Sequence, residues 1–229
     1  MPRLSRPRVG FAEAHGAKLY YEASGEGRSL LLLHAGIGDS RMWEPQWDEF
    51  ASRYRVIRTD LRGFGKTVVL PGRFSYHEDL PAVLRHLGEE TAFVIGLSFG
   101  GLVAMDFALA HPEMVNALVL GAPAVSGWGP SEELARFSAD EDDLLERGDL
   151  TGATELNLRM WVDGPHRAPD KADAAVRERA RKMQMDVFKV VVPDDAGDEP
   201  LEPPAMKRLE EIRVPTLIIT GELLSLIHI

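Results

Sequence analysis

The chain has 229 residues, no cysteine and a formal net charge of −10 at pH 7. This length suits one large α/β domain or a domain with an insertion, the lack of cysteine excludes disulfides and thiolate metal sites, and the acidic balance argues against a nucleic-acid partner. The basic N-terminal segment lacks the apolar core of a signal peptide, and no run is long enough to span a membrane. We therefore expect a cytoplasmic protein that does not act at membranes.

Strand and helix patterns alternate along the first half of the chain. Two short β-like runs, joined by a turn at His15, precede four leucines at 30–33, which predict a central strand buried on both faces. The runs at 54–60 and 91–95 predict further strands, and the apolar stripe over 76–87 predicts an amphipathic helix. This alternation is typical of a mostly parallel sheet with helices on both faces.

Residues 96–100, Gly-Leu-Ser-Phe-Gly, form a G-x-S-x-G motif between a predicted buried strand and an apolar helix pattern. A serine at the tip of so tight a turn takes strained backbone angles, and its neighbours two positions away must have almost no side chain. Gly96 and Gly100 meet that demand. The pattern predicts a nucleophile elbow that presents Ser98 at the positive end of a helix.

The loop after the leucine run, residues 34–40, predicts the second half of a site for acyl transfer. Acyl transfer stabilises an oxyanion with two backbone N–H groups, one from the residue after the nucleophile and one from such a loop. We expect these donors to be Phe99 and Gly36, with Ala35 as the alternative to Gly36. His34 is expected to hold the loop through hydrogen bonds at the substrate pocket rather than to act as the base.

The character of the chain changes from Gly121 onwards. Residues from 131 to about 192 are helical and charged, and they lie between the two strand patterns at 115–120 and 214–220, both of which are expected to be buried; this predicts an inserted helical cap. The acidic run at 140–143 is expected to be a solvated helix face. Trp128 and Trp161 are candidate lining residues of a substrate pocket beneath the cap. The predicted division is an α/β core over 1–123, a helical cap over 124–208, a core strand over 209–223 and a non-native tail over 224–229.

Four segments carry a family resemblance: 31–36, Leu-Leu-Leu-His-Ala-Gly; 58–65, Arg-Thr-Asp-Leu-Arg-Gly-Phe-Gly; 96–101, Gly-Leu-Ser-Phe-Gly-Gly; and 215–222, Pro-Thr-Leu-Ile-Ile-Thr-Gly-Glu. As a set they resemble the α/β-hydrolase superfamily, in particular the cap-bearing, cofactor-free serine hydrolases related to enol-lactonases, esterases, perhydrolases and meta-cleavage hydrolases. The resemblance implies that Ser98 is the nucleophile and that Gly36 and Phe99 form the oxyanion hole. It also implies a small-molecule ester or lactone substrate, and no cofactor or metal.

The sequence departs from that family after Gly221 and Glu222. In the family, one residue and then the catalytic aspartate follow this pair, whereas this chain has Leu224 at that position. Residues 224–229, Leu-Ser-Leu-Ile-His-Ile, resemble the translation of an adapter from DNA library preparation, so His228 is not expected to be a base. We expect a fragment that lacks the acid, the base and the final strand and helix, with negligible turnover and poor stability.

Two alternatives stay open at this point. A cofactor-free perhydrolase or haloperoxidase would use the same serine, and the elbow does not separate it from an esterase. A non-catalytic ligand-binding protein on the hydrolase scaffold would keep the elbow without an acid or base. The resemblance disfavours a haloalkane dehalogenase, which has aspartate where Ser98 stands, and Leu97 argues against a carbon–carbon bond hydrolase, which usually has asparagine there.

Overall fold

The computed structural model describes residues 6–14, 16–164, 168 and 171–221. The turn predicted at His15 and the tail at 224–229, with Leu224 and His228, lie outside these residues. None of the helices in the described ranges combines the length and the apolar character needed to cross a bilayer.

Ten strands are described, and eight of them form one sheet. They are β1 (Arg8–Ala14), β2 (Ala17–Ser24), β3 (Ser29–Leu33), β4 (Arg55–Thr59), β5 (Val68–Val69), β6 (Arg73–Phe74), β7 (Ala92–Leu97), β8 (Val115–Gly121), β9 (Gly197–Asp198) and β10 (Thr216–Ile219). The large sheet has the order β1-β2-β4-β3-β7-β8-β10, and β5 pairs with β2. Pairs from β4 to β10 are parallel, whereas those of β2 are antiparallel. The predicted, mostly parallel sheet is confirmed.

Helices cover both faces of this sheet. The described α-helices are α1 (Glu44–Ala51), α2 (Tyr76–Leu87), α3 (Phe99–Ala110), α4 (Glu132–Glu146), α5 (Leu150–Asn157) and α6 (Ala174–Val187). Buried residues of α2 and α3 form one cluster with the sheet, and buried residues of α1 form another. The helices α4 and α6 both pack on α5, in the segment between β8 and β10.

Strand β3 explains why two separate clusters form. Leu31 and Leu33 belong to the cluster with α2 and α3, whereas Leu30 and Leu32 join Trp47 of α1. Successive side chains of a strand point to opposite faces, so four consecutive leucines bury both faces at once. The four leucines are 0–4% exposed, which confirms the predicted central strand.

The predicted division of the chain at residues 124 and 208 stays a proposal, and the packing before the second boundary refines it. Strand β9 pairs with β6, which precedes α2 in the core. Leu201 and Ala205, which that division puts in the cap, belong to the same buried cluster as α2 and α3. The chain therefore returns to the core before residue 208.

Strand β10 is parallel to β8 but is not buried. Leu217, Ile218 and Ile219 are 55%, 57% and 53% exposed. The interpretation of this run as a second buried strand is wrong, because all four residues of β10 are exposed and neither face is covered in the described part of the chain. An exposed apolar edge strand of this kind favours association between molecules.

Candidate active site

Ser98 occupies the sharp turn between β7 and α3. Its backbone angles, φ 53° and ψ −113°, cost on the order of 1–3 kcal/mol for a residue with a side chain. The Ser98 N–H donates to the Gly121 carbonyl at 2.8 Å, and the Ser98 carbonyl accepts from Gly101 at 2.9 Å and from Ala124 at 3.1 Å. These hydrogen bonds to the end of β8 and the segment after it hold the strained conformation in place.

The two glycines of the motif allow the turn to sit against β3. A Cβ atom at Gly100 would lie 2.5 Å from the Leu33 carbonyl oxygen and 2.6 Å from that of His34, and one at Gly96 would collide with the Gly100 carbonyl. Backbones approach this closely only where no side chain intervenes. The sterics therefore bring the elbow and the loop after β3 together.

Gly36 and Phe99 lie close together beside Ser98. A Cβ built on Gly36 would lie 3.7 Å from the Phe99 Cβ, and both residues line the same cavity as Ser98. Phe99 begins α3, so its N–H has no acceptor within the helix, and neither amide donates a hydrogen bond within the described residues. The Ala35 N–H, by contrast, donates to the Met42 sulfur at 3.2 Å. The geometry thus favours Gly36 over Ala35 as the second donor.

His34 braces the loop and does not line the cavity. Its Nε2 accepts from the Leu61 N–H at 3.0 Å, so Nδ1 carries the proton and donates it to the Ala35 carbonyl at 2.9 Å. The ring is 0% exposed and packs against Phe64 with centroids 4.9 Å apart. Burial lowers the pKa of His34, which keeps the ring neutral. Its assignment as a pocket residue is corrected, because the side chain is fully buried behind the loop.

The charged side chains after β4 also brace this region. The Asp60 carboxylate accepts from the backbone N–H of Ser40 and of Lys66, each at 2.8 Å. Arg62 binds the Asp79 carboxylate with two hydrogen bonds of 2.7 Å, and both side chains are buried. These bonds tie the loop after β4 to the loop after β3 and to α2.

A cavity of about 450 Å³ lies above Ser98, within the usual size of small-molecule sites. We call its sheet-side residues the floor: Ala35, Gly36, Ile37, Leu97, Ser98 and Phe99. We call the residues from the segment between β8 and β10 the roof: Phe137, Glu141, Asn157, Trp161, Gln184, Val187 and Phe188. Met42 and Phe64 close the sides. A wider depression of about 730 Å³ lies at the amino ends of the strands, whereas catalytic groups of parallel sheets collect at the carboxyl ends.

Of the two tryptophans predicted to line the substrate pocket, one lines the Ser98 cavity and the other does not. Trp161 is a roof residue, and its ring meets that of Phe137 edge-on with centroids 5.4 Å apart. Trp128 is 53% exposed and borders a separate depression of about 140 Å³, so its assignment to the Ser98 pocket is corrected.

Sequence reasoning missed the polar roof residues Glu141, Asn157 and Gln184. Glu141 belongs to the acidic run read as a solvated face, and its neighbours Asp140 and Asp142 are indeed exposed, but Glu141 is half-buried and lines the cavity. A signal was present, because Glu141 falls four residues after Phe137 on the inward stripe of α4. Gln184 likewise lies on the buried stripe of α6.

No base contacts the Ser98 hydroxyl among the described residues, where that hydroxyl makes no hydrogen bond. The described histidines have other neighbours: His34 binds the loop, His77 lies near Glu78, His86 lies 3.2 Å from the Tyr21 hydroxyl and His111 binds Glu78 at 3.0 Å. Within the same ranges, no three His, Cys, Asp or Glu side chains form a group that could hold a metal ion.

A parallel sheet with a strained serine turn at its carboxyl edge and a helical segment above it defines an α/β-hydrolase. The family model described as "alpha/beta hydrolase fold" matches residues 28–222, so the chain belongs to that family. The chain is 32% identical over 216 residues to "Putative carbamate hydrolase RutD" of Azorhizobium caulinodans, covering 91% of this chain and 79% of that protein.

Two further similarities agree with this family. The chain is 35% identical over 115 residues to the pimeloyl-[acyl-carrier protein] methyl ester esterase of Aliivibrio salmonicida, covering 48% of this chain and 43% of that enzyme. The crystal structure of a hydrolase from Pseudomonas aeruginosa PA01 matches with a TM-score of 0.73 and 27% identity, covering 99% of this chain and 84% of that one. The chain thus spans most of the first relative and less than half of the second, and these relatives support a general hydrolase role.

Proposed function

We propose that the chain is a serine hydrolase of carboxylic esters or lactones, with Ser98 as the nucleophile. The observation that carries the proposal is the strained Ser98 turn, which faces a cavity beside two amides without acceptors among the described residues. Backbone strain at a residue that faces a cavity is a recurrent property of functional sites.

The proposed reaction begins when Ser98 Oγ attacks the carbonyl carbon and its proton passes to a base. The carbonyl oxygen becomes an oxyanion, and the N–H groups of Gly36 and Phe99 donate hydrogen bonds to it. The intermediate collapses, the carbon–oxygen bond to the alcohol breaks, and the alcohol takes the proton. Water then releases the acid from the acyl-enzyme by the same steps.

The described residues do not supply the base that this reaction needs. Since none of their histidines touches Ser98, we propose that the chain by itself acylates slowly. In serine hydrolases, loss of one of the three groups of the catalytic triad (nucleophile, base and acid) typically lowers the rate by a factor on the order of 10⁴. The same observation favours a second candidate function, a non-catalytic protein that binds its ligand in the cavity.

Covalent labelling separates the two candidates. In the reaction with a fluorophosphonate probe, Ser98 Oγ forms a bond to phosphorus and fluoride leaves. We expect slow labelling of the unmodified chain, none of Ser98→Ala, and the same slow labelling as the unmodified chain for Ser138→Ala, which changes an exposed serine of α4. Labelling that persists in Ser98→Ala would assign the nucleophile to another residue.

Added imidazole tests whether a missing base limits the reaction. Free imidazole can take the Ser98 proton, so it should accelerate release of p-nitrophenol from p-nitrophenyl acetate beyond its own background reaction. The acceleration should disappear in Ser98→Ala. An identical response of both chains would leave the ligand-binding candidate, because no chemistry would then depend on Ser98.

A further inference from the structure

Three polar side chains interrupt an otherwise apolar roof. Glu141, Asn157 and Gln184 reach the cavity from α4, α5 and α6, and the remaining roof residues are aromatic or aliphatic. The reaction proposed at Ser98 uses none of the three. A few convergent polar groups in an apolar cavity usually fix the orientation and identity of a ligand.

Asn157 holds Glu141 in position. The Asn157 Nδ2 donates to the Ala153 carbonyl at 3.0 Å and to Oε1 of Glu141, which uses both of its hydrogens. Because the Ala153 carbonyl can only accept, the orientation of this amide is settled. In the described part of the chain, Oε2 of Glu141 makes no hydrogen bond, so the fixed carboxylate keeps an oxygen that can accept one.

Gln184 adds a second unused acceptor to the same roof. Its side chain is 3% exposed, and its Oε1 is buried without a hydrogen-bond partner among the described residues. A buried carbonyl oxygen without a donor costs about 1–3 kcal/mol. No hydrogen bond among the described residues fixes which end of this amide faces the cavity, so a ligand donor that reaches its oxygen would remove that cost.

The charge of the cavity also favours a ligand that donates hydrogen bonds. Among its lining residues, all of them described, Glu141 is the one charged side chain, and none is Lys, Arg or His. Burial raises the pKa of Glu141, and the hydrogen bond from Asn157 opposes that rise. A cationic donor on the ligand would offset the cost of burying the Glu141 carboxylate. A carboxylate on the ligand would instead be repelled by Glu141, in a site sheltered from water.

We propose that the roof selects substrates that carry a hydrogen-bond donor, most strongly an ammonium group, on the part that reaches Glu141 and Gln184, and that it rejects a carboxylate there. This inference rests on the proposed function for the substrate's scissile bond, but the recognition itself is a property of the cavity. It can therefore be measured as binding, without turnover.

Three anilides of equal chain length provide the probes: those of hexanoic acid, of 6-aminohexanoic acid and the monoanilide of adipic acid. They end in a methyl, an ammonium and a carboxylate group, and their amide bond resists hydrolysis. In calorimetric titrations of the full chain at pH 7.5, the ammonium ligand should bind about tenfold more tightly than the methyl ligand, and the carboxylate ligand about tenfold more weakly.

Glu141→Gln keeps the size of the side chain and removes its charge. It should reduce the preference for ammonium to about twofold, and Gln184→Met, which removes the second acceptor, should weaken ammonium binding by about threefold. Asp140→Asn removes the same charge from an exposed position of α4 and should leave the preference unchanged. Glu141→Lys should reverse it in favour of the carboxylate ligand. Thermal unfolding of each variant confirms that it is folded before titration.

Equal affinity for the three anilides, no binding of any of them, or an unchanged preference in Glu141→Gln would overturn the inference. Its failure is distinct from failure of the proposed function. Ser98-dependent labelling without any preference among the anilides removes only the roof specificity. A preference without Ser98-dependent chemistry removes the hydrolase proposal and leaves a ligand-binding cavity.

Discussion

The floor and the roof of the cavity are held by different kinds of contact. The floor is fixed by main chain: Ser98 is hydrogen-bonded to the residues after β8, and Gly100 packs directly on the carbonyl oxygens that end β3. The roof is fixed by side chains on three helices, such as the ring pair Phe137–Trp161 and the hydrogen bond between Asn157 and Glu141. A floor built from backbone tolerates little change, whereas a roof built from side chains can be altered residue by residue.

This difference separates chemistry from selectivity. The proposed oxyanion donors are amides whose position depends on the strands, so most side-chain substitutions would leave them in place. The polar groups of the roof depend on which residues occupy the inward stripes of α4, α5 and α6. Substitutions on these stripes should therefore change which ligand the cavity prefers and leave the floor in place.

The largest expected effect comes from adding one methyl group to the floor. Gly100→Ala would place a Cβ 2.5 Å from the Leu33 carbonyl oxygen, and the obstacle is backbone that cannot rotate away. We expect a loss of about 3 kcal/mol or more in the free energy of unfolding, measured by urea titration, together with loss of probe labelling at Ser98.

Gly129→Ala is the matched control, because a Cβ there would meet no atom within 4 Å. Its free energy of unfolding should stay within about 0.5 kcal/mol of the parent. If Gly100→Ala were as stable and as reactive as the parent, the contact between the elbow and β3 would not be what positions Ser98.

The next largest effect tests the loop donor of the floor. Gly36→Pro removes the N–H that is proposed to bind the oxyanion, and loss of one such donor lowers the rate by a factor on the order of 10²–10³. The measurement is the rate of imidazole-assisted acylation with p-nitrophenyl acetate.

Gly36→Ala separates the loss of the donor from the gain in size. A Cβ at Gly36 would lie 3.7 Å from Phe99, an ordinary contact, and the N–H is retained. Acylation by this variant should stay within about threefold of the parent, since the donor is unchanged. Equal losses in both variants would show that the loop responds to bulk and that the Gly36 amide does not take part.

The contrast between floor and roof also explains which parts of the site could be predicted from the sequence. The floor was accessible because its requirements are local: two glycines flank a serine, and a strand of leucines precedes a glycine loop. Such requirements follow from sterics within a few residues. The sequence predicted Gly36 as the second donor with Ala35 as the alternative, and the structure adds a reason for that order that the sequence did not show: the Ala35 N–H donates to the sulfur of Met42, seven residues away.

The roof could not be predicted to the same depth, since its members meet through packing of helices far apart in the chain. Trp128 and Trp161 have the same side chain, and composition gives no reason to put one in the cavity and the other outside. Glu141 was misread because three acidic neighbours suggest solvent, although its spacing from Phe137 puts it on the inward stripe. The exposure of β10 was missed for a related reason: an apolar run indicates a strand, but not what covers it.

A third prediction concerns the junction between floor and roof. Asp106 lies on α3, the helix that begins at the floor residue Phe99, and its carboxylate accepts a hydrogen bond from the Ser126 hydroxyl at 2.6 Å. The Ser126 hydroxyl in turn accepts from the N–H of Ala205 at 2.8 Å, in the segment that follows the roof helices. Burial raises the pKa of Asp106 from 3.8 to about 6, and the Ser126 hydrogen bond opposes that rise. The folded chain therefore binds a proton that the unfolded chain releases.

The sign of the pH dependence follows from this raised pKa. Stability from protonated Asp106 is fully present below about pH 4 and is lost as the pH rises through about 6, by up to about 3 kcal/mol. Asp106→Asn keeps an acceptor for Ser126 and stays uncharged, so it should be more stable than the parent at pH 8 and similar at pH 4. Asp48→Asn, exposed on α1, should not change the profile. A parent profile that is flat between pH 4 and 8 would contradict the prediction.

The smallest expected effect measures how the roof holds together. The rings of Phe137 and Trp161 meet at an interplanar angle of 75°, an edge-to-face geometry that typically contributes about 0.5–1.5 kcal/mol beyond the burial of area. A double-mutant cycle with Phe137→Leu and Trp161→Leu should give a coupling energy in that range from urea unfolding. Phe137→Leu combined with Tyr54→Leu, whose ring packs on Phe93 of the sheet, should be additive within about 0.5 kcal/mol. If the roof unfolds before the floor, the coupling between the two rings will appear in an early transition. If the chain instead unfolds in a single transition that contains the whole coupling energy, floor and roof unfold as one cooperative unit. The two parts of the cavity would then differ in chemistry and not in stability.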